Sequence, residues 1–430
     1  MWGLAITDYM TTRLSKIFAA FLLVSFFTCG ENGAGAQEKK QYGIIDFSVS
    51  HLRQGPDYES PLETQELMGT VVEITGQESY WLQVTTPQPY TAWCTDKGVT
   101  PASEEEVEEW ISSRRYIVTA SHSAIYAEPS GRSDQVCDLV AGDLVKAVLG
   151  KPQRRFRTYG LPIRRNGWAK VETPSGMQGW TRTADIRDFY RWAEECYKAL
   201  DQVTAETLAS ENAVENGSNA TGNGSKTTGN SSKSSVKKSK KSKKTATETV
   251  SENIVATAKK YVGIPYLWGG MSPNGFDCSG LVRTAYFLNG ILLPRNANQM
   301  ALCGLPVPVF KTEADSSSTS ANASQDTNER ASSAQTFCAD SLRAGDLLFF
   351  GRRGETPSED RITHVGLYIG EGKMIHSSHL VRINSLYPDA DDCYENAHRL
   401  LGAVRILGYE NLTRGEYKVD RVFNSVAYFR

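Results

Sequence analysis

The sequence predicts a multidomain chain: two small all-β barrels followed by a separate α+β domain. Three observations carry this expectation. Short alternating runs between turn signals recur twice in the N-terminal part. A stretch almost without large apolar residues then interrupts the chain at 211–247. Beyond it, an apolar helical pattern and a strictly alternating strand fall within one segment, 251–410.

The first barrel is expected over 43–105. Thr70-Val71-Val72-Glu73-Ile74 and Tyr80-Trp81-Leu82-Gln83-Val84 alternate there between Gly, Pro and Asp, the pattern of half-buried strands. The second is expected over 115–187. Gly142-Asp143 marks a turn before Leu144-Val145-Lys146-Ala147-Val148. Gly167-Trp168-Ala169-Lys170-Val171 and Gly179-Trp180-Thr181 read as a hairpin, and the first region holds a weaker version of it. The two regions are a degenerate repeat of about 70 residues, one small domain each.

A connecting helix is expected over 188–210, with its pattern running from Phe189 to Leu208. Residues 211–247 are rich in Ser, Asn, Gly, Thr and Lys and read as a flexible linker, since they bury no core. Its lysines, Lys237 to Lys244, read as a solvated spacer. The last domain, 251–410, carries a polar insert at 311–335, and a tail at 411–430 completes the chain.

The N-terminus has the order of an export signal. Arg13 and Lys16 precede an apolar run from Ile17 to Phe27, too short to span a bilayer. Ala34-Gly35-Ala36 is a cleavage site, which makes 1–36 a signal peptide; lipidation at Cys29 is the competing outcome, and Met10 is a candidate start. The chain is expected to be exported to the periplasm or cell envelope, without a transmembrane span. A net charge of -2 supplies no basic field for nucleic acid.

Eight cysteines lie at 29, 94, 137, 196, 278, 303, 338 and 393, without a C-x-x-C pair, so no zinc site is expected. Cys303 and Cys338 bracket the insert, as a disulfide pinning its base or as two unpaired thiols. Cys278 comes after Pro273, Asn274 and Gly275 and precedes the helical pattern Leu281, Val282, Ala285, Tyr286 and Leu288. A cysteine at a helix start meets free amides and the positive dipole end, which favour the nucleophilic thiolate. A small buried cysteine explains that feature alone equally well.

The run Thr363-His364-Val365-Gly366-Leu367-Tyr368-Ile369 alternates strictly, with Val365, Leu367 and Ile369 facing the core and His364, Gly366 and Tyr368 opposite. The missing side chain at Gly366 leaves space beside His364. The next strand carries His376. A three-residue loop, Gly370-Glu371-Gly372, needs only Gly372 left-handed and puts Gly366 opposite His376. A two-residue turn would demand a positive φ at Glu371. On the three-residue reading the histidines share a face, and His376 holds the imidazole of His364, as the third member of a triad does. His376 and His379 lack the partners of a metalloprotease site, and no G-x-S-x-G elbow is present. Neither a metal nor a cofactor is expected.

Gly263-Ile264-Pro265-Tyr266-Leu267-Trp268-Gly269-Gly270, Asp277-Cys278-Ser279-Gly280 and Pro294-Arg295 with Gln299 resemble the NlpC-type family of cell-wall peptidases. So do Gly345-Asp346-Leu347-Leu348-Phe349-Phe350, the His364 strand and Ile375-His376-Ser377-Ser378. The resemblance implies a papain-like α+β fold over 251–410, with Cys278 as nucleophile, His364 as base and His376 as orienting residue. Tyr266 is then an oxyanion donor. The repeats are similar to bacterial Src-homology-3-like barrels, an arrangement of the dipeptidyl-peptidase-like subgroup. That similarity implies contacts from Asp277 and Ser279 to the free amine of an N-terminal L-alanine, and from Glu63 or Tyr58 of the first barrel. The implied reaction is hydrolysis of the D-glutamyl-to-diamino-acid bond in peptidoglycan stem peptides or muropeptides by a monomer. The alternatives are an endopeptidase acting on intact wall, with the barrels as binding modules, and a non-catalytic wall-binding scaffold.

Overall fold

A computed structural model describes residues 40–151, 160–218, 244–311, 336–356, 359–425 and 428–429. The export signal, Cys29 and most of the linker lie outside these residues. The first repeat builds β1 (Gln41–Ile45), β2 (Val49–Arg53), β3 (Leu62–Leu67), β4 (Val71–Glu78), β5 (Trp81–Thr85), β6 (Thr91–Thr95) and β7 (Val99–Ala102). They form one antiparallel sheet in the order β3-β2-β6-β5-β4-β1-β7. Its core is small: Ile45, Leu52, Val72, Leu82, Val84 and Val99. Glu104–Ser112 then forms α1. Ser103 starts it, because its hydroxyl accepts from the Glu106 amide at 3.2 Å while the Glu106 carboxylate accepts from the Ser103 amide at 2.8 Å.

The second repeat gives β8 (Arg115–Val118), β9 (His122–Tyr126), β10 (Gln135–Val140), β11 (Leu144–Ala147), β12 (Arg164–Arg165), β13 (Trp168–Glu172), β14 (Gln178–Arg182) and β15 (Ile186–Asp188). Their order is β10-β9-β14-β13-β11-β8-β15, with β12 on β13. Both repeats are thus antiparallel sheets, with strands near the expected places.

The connecting helix, α2 (Phe189–Ser218), runs past the expected end at 210. Ala209, Glu211, Ala213 and Glu215 are good helix formers, although the composition around them is that of the linker. The next helix, α3 (Ala246–Lys259), starts at a Thr245–Glu248 capping box. The two helices meet: the Glu206 carboxylate of α2 accepts from the amides of Ala246 at 2.7 Å and Thr247 at 3.0 Å. A carboxylate suits the free amides and positive end of a helix. The long linker therefore does not part the two sheets from the C-terminal α+β segment.

That segment packs α3 and α4 (Cys278–Phe287) on a six-stranded antiparallel sheet. Its strands are β16 (Leu305–Val307), β17 (Leu347–Arg352), β18 (Arg361–Gly370), β19 (Lys373–Ser378), β20 (Leu380–Ser385) and β21 (Leu400–Arg405), in the order β16-β21-β17-β18-β19-β20. Leu281, Val282 and Ala285 of α4 meet Leu347, Val365, Leu367 and Ile375 of the sheet, and Leu200 and Val203 of α2 join them. The insert leaves and rejoins the fold at a short ladder, Phe310 opposite Phe337 and Lys311 opposite Thr336. Cys303 and Cys338 are both free thiols, so no disulfide pins it. Cys303 is instead packed in the core.

The tail expected at 411–430 is a packed element. Asp420 and Arg421 pair with Leu292 and Ile291. Val422 and Tyr428 are buried with Ile44, Trp110, Ile117, Phe189 and Phe287, and Phe429 stacks on Phe189 at 4.9 Å. The Tyr428 carbonyl accepts from the buried Arg115 at 2.6 Å. Its apolar residues seal the junction of both sheets, α2 and α4. Tyr428→Ala should therefore cost about 3 kcal/mol, the scale of a truncated buried aromatic, and lower Tm in calorimetry. An unchanged Tm would show that the tail adds nothing to the junction.

Candidate active site

Cys278 opens α4, and Asp277 is the residue that starts the helix. Asp277 has extended backbone angles, φ -84 and ψ 178, and its Oδ1 accepts from the Gly280 amide at 2.6 Å. Its Oδ2 accepts from the Gly269 amide at 3.1 Å. Arg295 spans both oxygens, with Nη1 at 3.2 Å and Nη2 at 2.5 Å, and also donates to Ser279 Oγ at 2.9 Å. Its Nε reaches Thr64 Oγ1 of β3 at 2.8 Å. One strand residue away, Gln65 Oε1 accepts from the Met271 amide at 2.8 Å. The first sheet is thus bonded directly to the loop before Cys278 and, through Arg295, to the start of its helix. Arg295 and two backbone amides hold the Asp277 carboxylate, and Arg295 also holds the Ser279 hydroxyl, so both residues expected at the substrate amine are fixed in position.

The hairpin differs from the expected loop yet gives the expected face. Gly370 pairs with Lys373 across a two-residue turn, Glu371-Gly372, and both turn residues have positive φ, 55 and 68. The sequence disfavours this combination because of Glu371. A register shift between Tyr368 and Gly370 inserts one residue, which flips the faces back. Leu367 therefore lies opposite Ile375, and His364 and His376 meet. The space at Gly366 is not empty: a Cβ there would lie 2.6 Å from Met374 Sδ.

His364 Nε2 lies 2.8 Å from His376 Nδ1, and His376 Nε2 lies 3.0 Å from Asn384 Oδ1. Tyr394 packs against both rings, at 5.7 Å and 4.7 Å. The amides of Val365, next to His364, and Ser279 hydrogen-bond toward Cys278 and favour its thiolate. Burial outweighs them. It pushes the Cys278 thiol up to about 11, with the Asp277 charge acting the same way. Burial also lowers His364 to about 3, with His376 adding to the effect, and lowers His376 to about 4. Burial thus disfavours the charged form of both partners and opposes the thiolate that the helix start favours. Burial, then Cys278, raises the Tyr266 phenol well above its ordinary value, so it remains an O–H donor. No cluster of metal-ligating side chains occurs among the described residues.

Glu63 Oε2 accepts from the Tyr90 hydroxyl and Oε1 from Gln54 Nε2. Glu63, Tyr90, Gln54, Arg295 and Gln299 line a cavity of about 800 Å³. Cys278 is not in its wall; Arg295 connects the two through Asp277. Tyr58 stands elsewhere, exposed and edge-on to Trp81 at 4.9 Å. Sequence reasoning misses Tyr90 because its partner lies 27 residues away. The Pro-flanked turn before β6 is the available signal.

A neutral resting thiol makes a direct prediction. Alkylation of Cys278 by iodoacetamide, measured by peptide mass spectrometry, should keep accelerating from pH 6 toward the raised thiol value. A plateau by pH 7 would instead report a preformed thiolate–imidazolium pair.

The NlpC/P60 family matches residues 263–393. Over 347 residues the chain is 25% identical to "Dipeptidyl-peptidase 6" of Lysinibacillus sphaericus, covering 80% of this chain and 91% of that one. It is 22% identical to "Gamma-D-glutamyl-L-lysine dipeptidyl-peptidase" of Bacillus cereus, over 87% of this chain and 95% of that one. The crystal structure of an NlpC/P60 family protein from Bacillus cereus shares the fold, with a TM-score of 0.53 at 19% identity, across 85% of this chain and 99% of that one. The C-terminal part of this chain is therefore an NlpC/P60 domain, of a family of cysteine peptidases.

Proposed function

We propose that this protein hydrolyses the bond between D-glutamate and the diamino acid of peptidoglycan stem peptides, and that it prefers stems with a free N-terminal L-alanine. The observation that carries this reading is the bonding of the first sheet to the helix of Cys278. The same strand, β3, presents both Thr64 to Arg295 and Glu63 to the cavity. A carboxylate held by two donors, Tyr90 and Gln54, is a natural partner for an ammonium group. The relatives named dipeptidyl-peptidase align with nearly the whole chain, sheets included. We read the sheets as Src-homology-3-like barrels over 43–105 and 115–187, the first closing one end of the cleft. The enzyme acts as a monomer after export to the cell envelope.

Cys278 attacks the scissile carbonyl as His364 takes its proton; the neutral resting pair couples transfer to attack. The tetrahedral oxyanion forms near the Tyr266 hydroxyl. Its collapse releases the diamino acid amine, which takes the proton from His364, and leaves a thioester on Cys278. Water, deprotonated by His364, then frees the dipeptide. His376 orients His364 throughout.

Acetylating the L-alanine of a tripeptide or tetrapeptide should lower kcat/KM roughly 100-fold, the scale of a lost charge-assisted contact. Mass spectrometry of the products identifies the bond. Equal turnover of free and blocked peptides would favour action on intact wall. Glu63→Gln should erase most of the preference, and Cys278→Ala should abolish turnover; full activity of that variant would leave only a binding scaffold.

A further inference from the structure

We infer that Asn384 is a positioning residue, which sets the direction of every proton in the His376–His364 pair and so leaves a bare nitrogen for the thiol of Cys278. The order of the protons starts at a backbone carbonyl. The Asp392 carbonyl accepts from Asn384 Nδ2 at 2.9 Å and from the Ser385 amide at 3.0 Å. A carbonyl only accepts, so the NH₂ of Asn384 is fixed toward Asp392 and Oδ1 toward His376. Oδ1 in turn only accepts, so His376 carries its proton on Nε2, 3.0 Å away. A neutral imidazole has one N–H, which leaves a lone pair on His376 Nδ1. His364 Nε2, at 2.8 Å, must then be the donor. The lone pair of His364 is left on Nδ1, the base that the proposed reaction uses.

The surroundings hold this order in place. His376 is fully buried and Asn384 nearly so. The Asp392 side chain is tied to Lys373 at 2.9 Å, and Lys373 pairs with Ser385 on the neighbouring strand, so the carbonyl stays where Asn384 needs it. The other groups facing the pair are Arg382, whose charge opposes protonation of both rings, Glu395, which favours it on His376, and the Tyr394 ring. Nothing else among them supplies an acceptor bond to His376 Nε2 in the structure.

The inference rests on Cys278 and His364 being the reacting pair, and its test separates the two. The readout is the pH profile of kcat/KM on a free stem tripeptide, with kcat and KM resolved. Asn384→Asp keeps an acceptor at His376 but replaces the donor to Asp392 with a negative charge. That charge makes His376 easier to protonate. Once His376 holds two protons, its Nδ1–H points at His364 Nε2, and the His364 proton moves to Nδ1, where it blocks the base. The acid limb should therefore move up by about one pH unit or more, with activity returning at higher pH. Asn384→Leu removes the acceptor and should lower kcat roughly 100-fold with little change in KM. A merely structural residue would lower activity equally at every pH. An unmoved acid limb in Asn384→Asp overturns the inference, and so does Asn384→Leu within about threefold of the parent. If Asn384→Leu does not fold, the near-isosteric Asn384→Asp decides alone. Full activity of Cys278→Ala, by contrast, would remove the reading on which the inference stands.

Discussion

The buried ion pair between Arg295 and Asp277 is the contact on which the rest of the site depends. Arg295 is 5% exposed and Asp277 is 7% exposed. Neither charge is tolerable there alone, and removing one partner of such a pair costs several kcal/mol. Both are satisfied because Arg295 divides its donors among Asp277, Ser279 and Thr64, while Asp277 also accepts from two amides. The helix start, the position of Cys278 and the docking of the first sheet are therefore one hydrogen-bonded unit. Cys278 thus inherits its placement from Arg295, a residue on a different element, and, through Thr64, from the first sheet.

Burial has a second consequence at the same spot. The thiol and both imidazoles sit where charge is expensive, and the amides at the helix start do not offset that. In the proposed reaction this environment makes charge develop only as Cys278 attacks, while burial keeps the proton on the Tyr266 hydroxyl.

Much of this is legible in the sequence. The helix start at Cys278 and the alternation around His364 are local patterns, and local patterns survive folding. The shared face of His364 and His376 is reached from the sequence by way of the wrong loop: sequence logic avoids a left-handed Glu371, whereas the fold accepts it and restores the face with an inserted residue. What the sequence does not reveal has one cause. Glu63 with Tyr90, Asp277 with Arg295 and Tyr428 with Arg115 are partnerships between distant segments, and periodicity reports only on neighbours. The packing of the tail is not read from the sequence because its short elements lack a period, although its density of Tyr and Phe is visible. Of the two readings open for Cys303 and Cys338, the structure has the unpaired thiols, a choice that sequence position alone does not make.

The contact of Glu206 with the first turn of α3 has an evolutionary meaning. It ties α2 to the first turn of α3, so the chain from Glu206 to Ala246 closes a loop with fixed anchors, and the ladder at Phe310 and Phe337 does the same for the insert. When anchors are fixed, each doubling of the chain between them costs only about 0.6 kcal/mol. Selection can thus lengthen, shorten or rewrite these two stretches with little consequence for the catalytic geometry. Changes of length in these two stretches therefore cost less than any change in the strand that touches Arg295.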